Sequence, residues 1–339
     1  MNISIFASIG AQNLGDELIL KNEIQLLKKE FVENTRFRVF TYDIRNPFFL
    51  DRQVDYLEYF PIASRNPKNI FRNTKNFGSF LSTLLWSDIV VIGWWWIIYD
   101  SELQSNKNPL DQWVFRSKIA KKLKKKIYFY ALGIDIKHPE NKDKLKTIFQ
   151  WAWKITVRDK KSFLALKDIW IESHIVLDPV YSERGDFKAA KRSLLCSYSS
   201  RGFALKDLEK YNFSGKRVGL ALRQGYIGKS QNEKIEKLML EEVFQYIEKQ
   251  WATLVFLPHS FHEQDQVAND FVFLSSFVKG SRSIKNSLQE VYKVYTHREI
   301  DINIAMRLHS IILSEVYEIP YIALSYSQKT DETLKNLSF

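Results

Sequence analysis

Short apolar runs alternate with longer amphipathic stretches along most of the chain, the pattern of parallel strands covered by helices. In the first half, strand-sized runs fall at 3–7, 38–42, 89–92, 127–131, 155–157 and 175–177. Helix-length patterns occupy 17–30, 111–123 and 160–169 between them. The pattern loosens over 181–214, then restarts with runs at 217–222, 253–257, 271–273 and 321–325. The expected fold is therefore α/β, with two Rossmann-like domains facing a cleft: 1–180, a connector at 181–214, and 215–339. In sheets of this kind, ligands bind beyond the carboxyl ends of the strands, so a motif is informative when it directly follows a strand.

Composition narrows the class. Of 339 residues, 45% are hydrophobic and 26% charged, which suits folded domains rather than a disordered chain. The apolar run at 89–98 is too short to span a bilayer, and Met1 leads straight into the first strand pattern without a secretory signal. A single cysteine, Cys196, excludes internal disulfides and cysteine-rich metal sites, and the expected compartment is the cytoplasm. The net charge of +11 favours an anionic partner. The lysine run at 121–126 reads either as a solvated helix end or as a contact for anionic lipid, and no nucleic-acid-binding signature accompanies it.

Seven segments carry candidate chemistry, six of them just after a predicted strand. Gly10 to Glu17 follows the first strand and opens a helix. Its glycine spacing is not that of a dinucleotide site, and it reads as an N-cap or an anion contact. Arg158 ends the run at 155–157 beside Asp159, as an anion clamp or one half of an ion pair. Asp178-Pro179 closes the next run as a turn. Arg223 ends the first strand of the second half. His259, His262 and Asp265 follow the strand at 253–257, where substrate contacts or a packed loop outweigh a metal site.

Arg307-Leu308-His309 opens the helix that runs on through Val316, with His309 beside its apolar stripe and Arg307 off it. An arginine, a histidine and a helix N-terminus together suit a phosphate and a proton donor. Lys329 follows the strand pattern at 321–325 as a further cation.

Taken in order, Asn13-Leu14-Gly15-Asp16-Glu17, Thr156-Val157-Arg158-Asp159 with Ser162, Asp178-Pro179, Leu222-Arg223, Pro258-His259, Arg307-Leu308-His309, and Ser325-Tyr326 with Lys329 resemble the polysaccharide pyruvyl transferase family. The resemblance implies a glycosyltransferase-B-like fold. It implies transfer of the pyruvyl group of phosphoenolpyruvate onto two sugar hydroxyls, with release of phosphate. By the same resemblance, the N-terminal domain supplies the acceptor side and part of the donor site, and the C-terminal domain holds phosphoenolpyruvate. His309 is then the general acid, Arg307 and the backbone of Leu308 hold phosphate, and Asn13 and Asp16 line the facing wall. Arg158, Arg223 and Lys329 match the donor's charge, and His259 orients the acceptor. No cofactor is implied beyond the donor substrate.

The chain departs from the family pattern where Gly93 is followed by Trp94, Trp95 and Trp96 in place of a glycine cluster, and these rings offer an acceptor surface. The turn around Leu132-Gly133-Ile134-Asp135 is likewise poorer in glycine than the family's. The expected acceptor is a cell-surface glycan, an exopolysaccharide among them, or its lipid-linked precursor at the inner membrane face. Two alternatives stand beside this reading: a sugar-nucleotide-dependent glycosyltransferase, and a non-catalytic glycan- or anion-binding module.

Overall fold

The computed structural model describes residues 1–31, 34–58, 70–93, 98–100, 109–184, 208–225, 233–263, 265 and 267–324. The chain divides into two compact units, Met1–Ala11 with Ile19–Pro179, and Gln12–Leu18 with Val180–Phe339.

The first unit is built on a parallel sheet whose strands are β1 (Asn2–Ile9), β2 (Arg36–Thr41), β3 (Val54–Glu58), β4 (Ile89–Gly93), β6 (Lys126–Leu132), β8 (Lys154–Val157) and β9 (His174–Ile175). Two short strands, β5 (Ile98–Tyr99) and β7 (Ile134–Asp135), pair separately. The helices are α1 (Leu14–Phe31), whose residues through Leu18 cluster with the second unit, α2 (Ile70–Trp86), α3 (Pro109–Lys122), α4 (Lys142–Phe149) and α5 (Lys160–Lys167). The strand order is β3-β2-β1-β4-β6-β8-β9. Every residue of β4 is buried, as a central strand covered on both faces requires, and this is why it reads as an unbroken apolar run. Phe6, Phe40, Phe80, Phe129 and Phe149 anchor the core, with Phe6 stacked on Phe40 at 4.7 Å between ring centres.

The second unit contains β10 (Arg217–Ala221), α6 (Glu233–Glu248), β11 (Thr253–Phe256), α7 (Asp270–Ser275), β12 (Ser283–Ile284), α8 (Leu288–Thr296), β13 (Ile302–Ala305), α9 (Leu308–Val316) and β14 (Tyr321–Ala323). Its sheet is parallel, in the order β12-β11-β10-β13-β14. Both sheets therefore step outward from their first strand and then resume on its other side, the doubly wound Rossmann arrangement. The switch points lie between β1 and β4 and between β10 and β13. The fold class is α/β with two Rossmann-like units.

Two sequence expectations change. The run at 271–273 belongs to a helix rather than a strand, because Asn269 caps it by accepting the Val272 N–H at 3.1 Å. A strand at 302–305 was not expected at all, yet β13 is wholly buried and pairs with both β10 and β14.

Arg282, its side chain 1% exposed, lies between two carboxylates of α6, at 2.8 Å from Glu241 and 2.8 Å from Glu248. The lysine run at 121–126 is partly structural. Lys125 donates to the carbonyls of Leu85 and Ser87 at 3.0 and 2.8 Å, which finishes the C-terminal end of α2. Lys121 and Lys126 lie over the rings of Trp151 and Trp153. Among the described residues, no helix is long and apolar enough to cross a membrane.

Candidate functional site

In the second unit, chemistry-bearing side chains collect where strands end around the switch point. Arg223 follows β10, His259 follows β11, and Arg307 and His309 follow β13. The segment Gln12–Leu18 clusters with this unit and supplies part of the same surroundings.

That segment is tied to the loop after β11 by main-chain bonds. Leu14 N–H donates to the His259 carbonyl at 2.9 Å, Phe261 N–H donates to the Gln12 carbonyl at 2.9 Å, and Asn13 bridges Ser260. Asn13 is the cap of α1, its Oδ1 accepting the Gly15 N–H at 3.0 Å. Gln12 bends the chain into this turn with a φ of 56°. Asp16 stands in the first turn of α1, where a carboxylate complements the helix dipole.

Asp270, the first residue of α7 and 1% exposed, organises the cations. Its two oxygens receive Arg307, with Nε donating at 2.8 Å and the terminal nitrogen completing a two-point contact. It also accepts the His259 main-chain N–H at 3.1 Å. Burial pushes the Asp270 carboxyl upward, and the positive charges of Arg307 and Arg223 pull against it. Arg307 occupies the cap position of α9, and its guanidinium is thus directed to Asp270 and to the Ala268 carbonyl at 3.3 Å. Nothing in the sequence marked Asp270 as its partner, because the residue opens an apolar run that reads as core.

His309 lies in the first turn of α9 and is buried at 4% exposure. Its imidazole rests on Gly15: a Cβ there would stand 2.6 Å from Cγ and Cε1 of the ring and closer still to Nδ1. The helix is buried on most faces, through His309, Ser310, Ile311, Ile312, Leu313, Ser314 and Val316. A histidine set apart from one apolar stripe is therefore not what distinguishes His309. Its seat on a glycine is. Leu308 begins the helix, in the turn whose N–H groups have no acceptor within a helix. Glu315, which the stripe left unaccounted for, accepts the Tyr321 hydroxyl.

His259 is 2% exposed. Its Nε2 lies 2.9 Å from the Tyr295 hydroxyl, which lies 2.7 Å from Ser310 Oγ, which in turn lies 2.8 Å from the Asn303 amide nitrogen. Burial, reinforced by the nearby Arg307 and His309, pushes the His259 imidazole well below its ordinary value, so it is neutral. His262 and Asp265 form a local turn instead, with Asp265 N–H donating to His262 Nδ1 at 3.1 Å. They share no ligand set with His259, and the described residues contain no cluster of three or more metal-binding side chains.

Arg158 belongs to the first unit, just beyond β8. It pairs with Asp159 at 3.6 Å, while Asp159 caps α5 by accepting the Ser162 N–H at 2.7 Å. Its guanidinium crosses Gly133, where a Cβ would meet it at 3.0 to 3.3 Å. The glycine of the 132–135 turn thus makes room for the arginine. Trp94, Trp95, Trp96 and Lys329 lie outside the described residues.

In a doubly wound α/β unit, side chains beyond the strand ends at the switch point stand where ligands bind. The particular family follows from the sequence as a whole. The polysaccharide pyruvyl transferase model matches residues 13–328, and the chain belongs to that family of transferases.

Comparison with curated proteins found no match. Among solved structures, the chain is similar to the UDP-GlcNAc 2-epimerase of Methanocaldococcus jannaschii in complex with UDP-GlcNAc and UDP, at 11% identity and a TM-score of 0.47 over 99% of this chain and 92% of that one. It is also similar to MnaA of S. aureus in its UDP co-structure, at 11% identity and a TM-score of 0.49 over 99% and 86%. A third is the apo lipopolysaccharide outer core galactosyltransferase WaaB, at 11% identity and a TM-score of 0.44 over 100% and 90%.

Proposed function

We propose that this protein transfers the pyruvyl group of phosphoenolpyruvate onto two hydroxyls of one sugar, forming a cyclic ketal on a cell-surface polysaccharide or its lipid-linked precursor. The observation that carries the reading is the pairing of His309 with Arg307 at the start of α9, within a family-wide match. His309 delivers a proton to the methylene carbon, and positive character develops at the neighbouring carbon, where the first hydroxyl adds. The bond from that carbon to the phosphate oxygen then breaks, and the second hydroxyl closes the ring. Of the two hydroxyl protons, one ends in the new methyl group, by way of His309, and the other on the released phosphate.

Arg223, Arg307 and the N–H groups at the start of α9 support phosphate binding, and Arg158 and Lys329 complete the charge match to a donor carrying both phosphate and carboxylate. Asn13 and Asp16 act by holding the wall formed by the first turn of α1. The rings of Trp94, Trp95 and Trp96 offer the acceptor a stacking surface. Phosphoenolpyruvate enters as substrate, and the reading calls for no resident cofactor. Exposed Lys122 and Lys124 are the members of the basic run that would meet an anionic membrane carrying a lipid-linked acceptor.

The test is a thermal-shift comparison of phosphoenolpyruvate with uridine and guanosine sugar nucleotides. Stabilisation by phosphoenolpyruvate is expected, and stabilisation by a sugar nucleotide alone would overturn the reading in favour of glycosyl transfer.

A further inference from the structure

The hydrogen bonds behind His259 have a direction. Asn303, on β13 and 0% exposed, has two amide hydrogens and two close acceptors, Ser310 Oγ and Ser314 Oγ, each at 2.8 Å. The opposite amide orientation would leave both hydrogens without an acceptor, since the position held by Oδ1 has no hydrogen-bonding partner among the described residues. Ser314 spends its own hydrogen on the Ser310 carbonyl at 2.8 Å. Ser310 Oγ accepts from Asn303, and among the described residues the acceptor within reach of its own hydrogen is the Tyr295 hydroxyl at 2.7 Å, so Ser310 donates to Tyr295. Tyr295 in turn donates to His259 Nε2 at 2.9 Å. A neutral imidazole that accepts at Nε2 carries its hydrogen on Nδ1. That nitrogen is buried and has no hydrogen-bond partner among the described residues.

A buried N–H donor without an acceptor is costly to keep, and its surroundings indicate what would satisfy it. Arg307 and His309 act on the His259 ring as nearby positive charge, while the Asp270 carboxylate beside it is already engaged by the His259 main-chain N–H and the Arg307 guanidinium. We propose that His259 carries its ring hydrogen on Nδ1 and donates it to an anionic oxygen of the substrate, a carboxylate or a phosphate. Tyr295, Ser310 and Asn303 are positioning residues that fix this tautomer. The donor role replaces the acceptor-sugar contact expected from the sequence: a hydroxyl acceptor would not draw on the positive surroundings. A neutral donor also adds a hydrogen bond to the anion without adding a third cation to compete for Asp270. The identity of the anion as phosphoenolpyruvate rests on the proposed function, whereas the tautomer does not.

The experiment is a long-range proton–nitrogen correlation spectrum of the full chain labelled with nitrogen-15 histidine, the His259 signal being assigned by its loss in H259N. The expected signature is a protonated Nδ1 and an unprotonated Nε2 that persist across neutral pH. A doubly protonated ring, or a hydrogen on Nε2, would overturn the proposal. In Y295F the fixed tautomer should give way to a mixture, and an unchanged spectrum would remove Tyr295 from the role.

Inorganic phosphate, pyruvate and phosphoenolpyruvate are then added separately. A shift of the Nδ1–H signal with phosphate or with pyruvate identifies the oxygen, and no shift with any of the three overturns the donor role. A response to phosphate without turnover of phosphoenolpyruvate would leave this proposal standing and sink the proposed function. In an active enzyme, H259N places an amide N–H near the Nδ1 position and H259Q places it near Nε2. H259N should therefore retain about 10- to 100-fold more activity, the worth of one hydrogen bond to a charged group. The reverse ranking contradicts the assignment.

Discussion

Gly15 leaves the space that His309 fills. The imidazole lies so close to the glycine that an added methyl would fall 2.6 Å from two of its ring carbons. The start of α1 and the start of α9 therefore set the position of that ring together, and they do so inside one compact unit. For G15A, overpacking costs roughly 1–3 kcal/mol, while alanine's better helix propensity returns about 1 kcal/mol. The net loss of stability should be small and the loss of activity large, because the ring must move. Thermal unfolding beside a rate measurement checks this; equal activity in G15A would show that His309 tolerates displacement.

Asp270 holds Arg307 at two points from a fully buried position, and it also receives the His259 main chain. Replacing it with asparagine keeps the shape and leaves a largely buried guanidinium without its counter-charge. D270N should lose about 3–5 kcal/mol in denaturant unfolding, as when one partner of a buried ion pair is removed. A loss under about 1 kcal/mol, the level of a surface pair, would mean that Arg307 reaches water easily.

A pH effect follows from Arg282. Its hydrogen bonds hold the Glu241 carboxyl down at about 2. A carboxyl lowered in the folded state adds stability above its unfolded value, near 4.5, and loses it as pH falls toward the folded value. Acid titration of stability should therefore show a decline between these two values that is shallower in E241Q. At neutral pH, E241Q should be less stable by about 1–3 kcal/mol, Glu248 remaining on Arg282. Parallel acid limbs for the two proteins would remove Glu241 from the account.

Charge reversal separates the two halves of the basic run. Lys121, Lys125 and Lys126 are engaged with Trp151, the end of α2 and Trp153. K122E/K124E should weaken binding to vesicles containing phosphatidylglycerol, at about 1 kcal/mol per lysine, and leave the melting temperature unchanged. Undiminished binding at low salt would count against a membrane role.

Most of the fold was legible because buried parallel strands announce themselves as apolar runs. β4 is the plainest case, with five buried residues in sequence. Short runs misled where two periods fit equally well: Phe271 to Phe273 reads as a strand, and only the cap at Asn269 makes it helical. β13 was missed because Asn303 interrupts its apolar character, and that same asparagine is buried to direct the relay behind His259. Of the site, Arg223 and His259 were visible through their places after strands, and Arg307 and His309 through their place at the opening of a helix pattern. Asp270 and Tyr295 were not: Asp270 precedes a run that reads as a strand, and Tyr295 sits in a segment that packing alone explains. Their roles depend on partners 37 and 36 residues away in sequence, which no local pattern encodes.

The central claim is that His309 delivers the proton in a reaction of phosphoenolpyruvate with a sugar. Phosphate release is the direct measurement, made with phosphoenolpyruvate against a panel of sugars and lipid-linked glycans, for the unmodified chain and for H309A. The account predicts release that depends on one acceptor class and falls by about 10²- to 10⁴-fold in H309A, the usual contribution of a general acid. Acceptor-dependent release that is unchanged in H309A would contradict it.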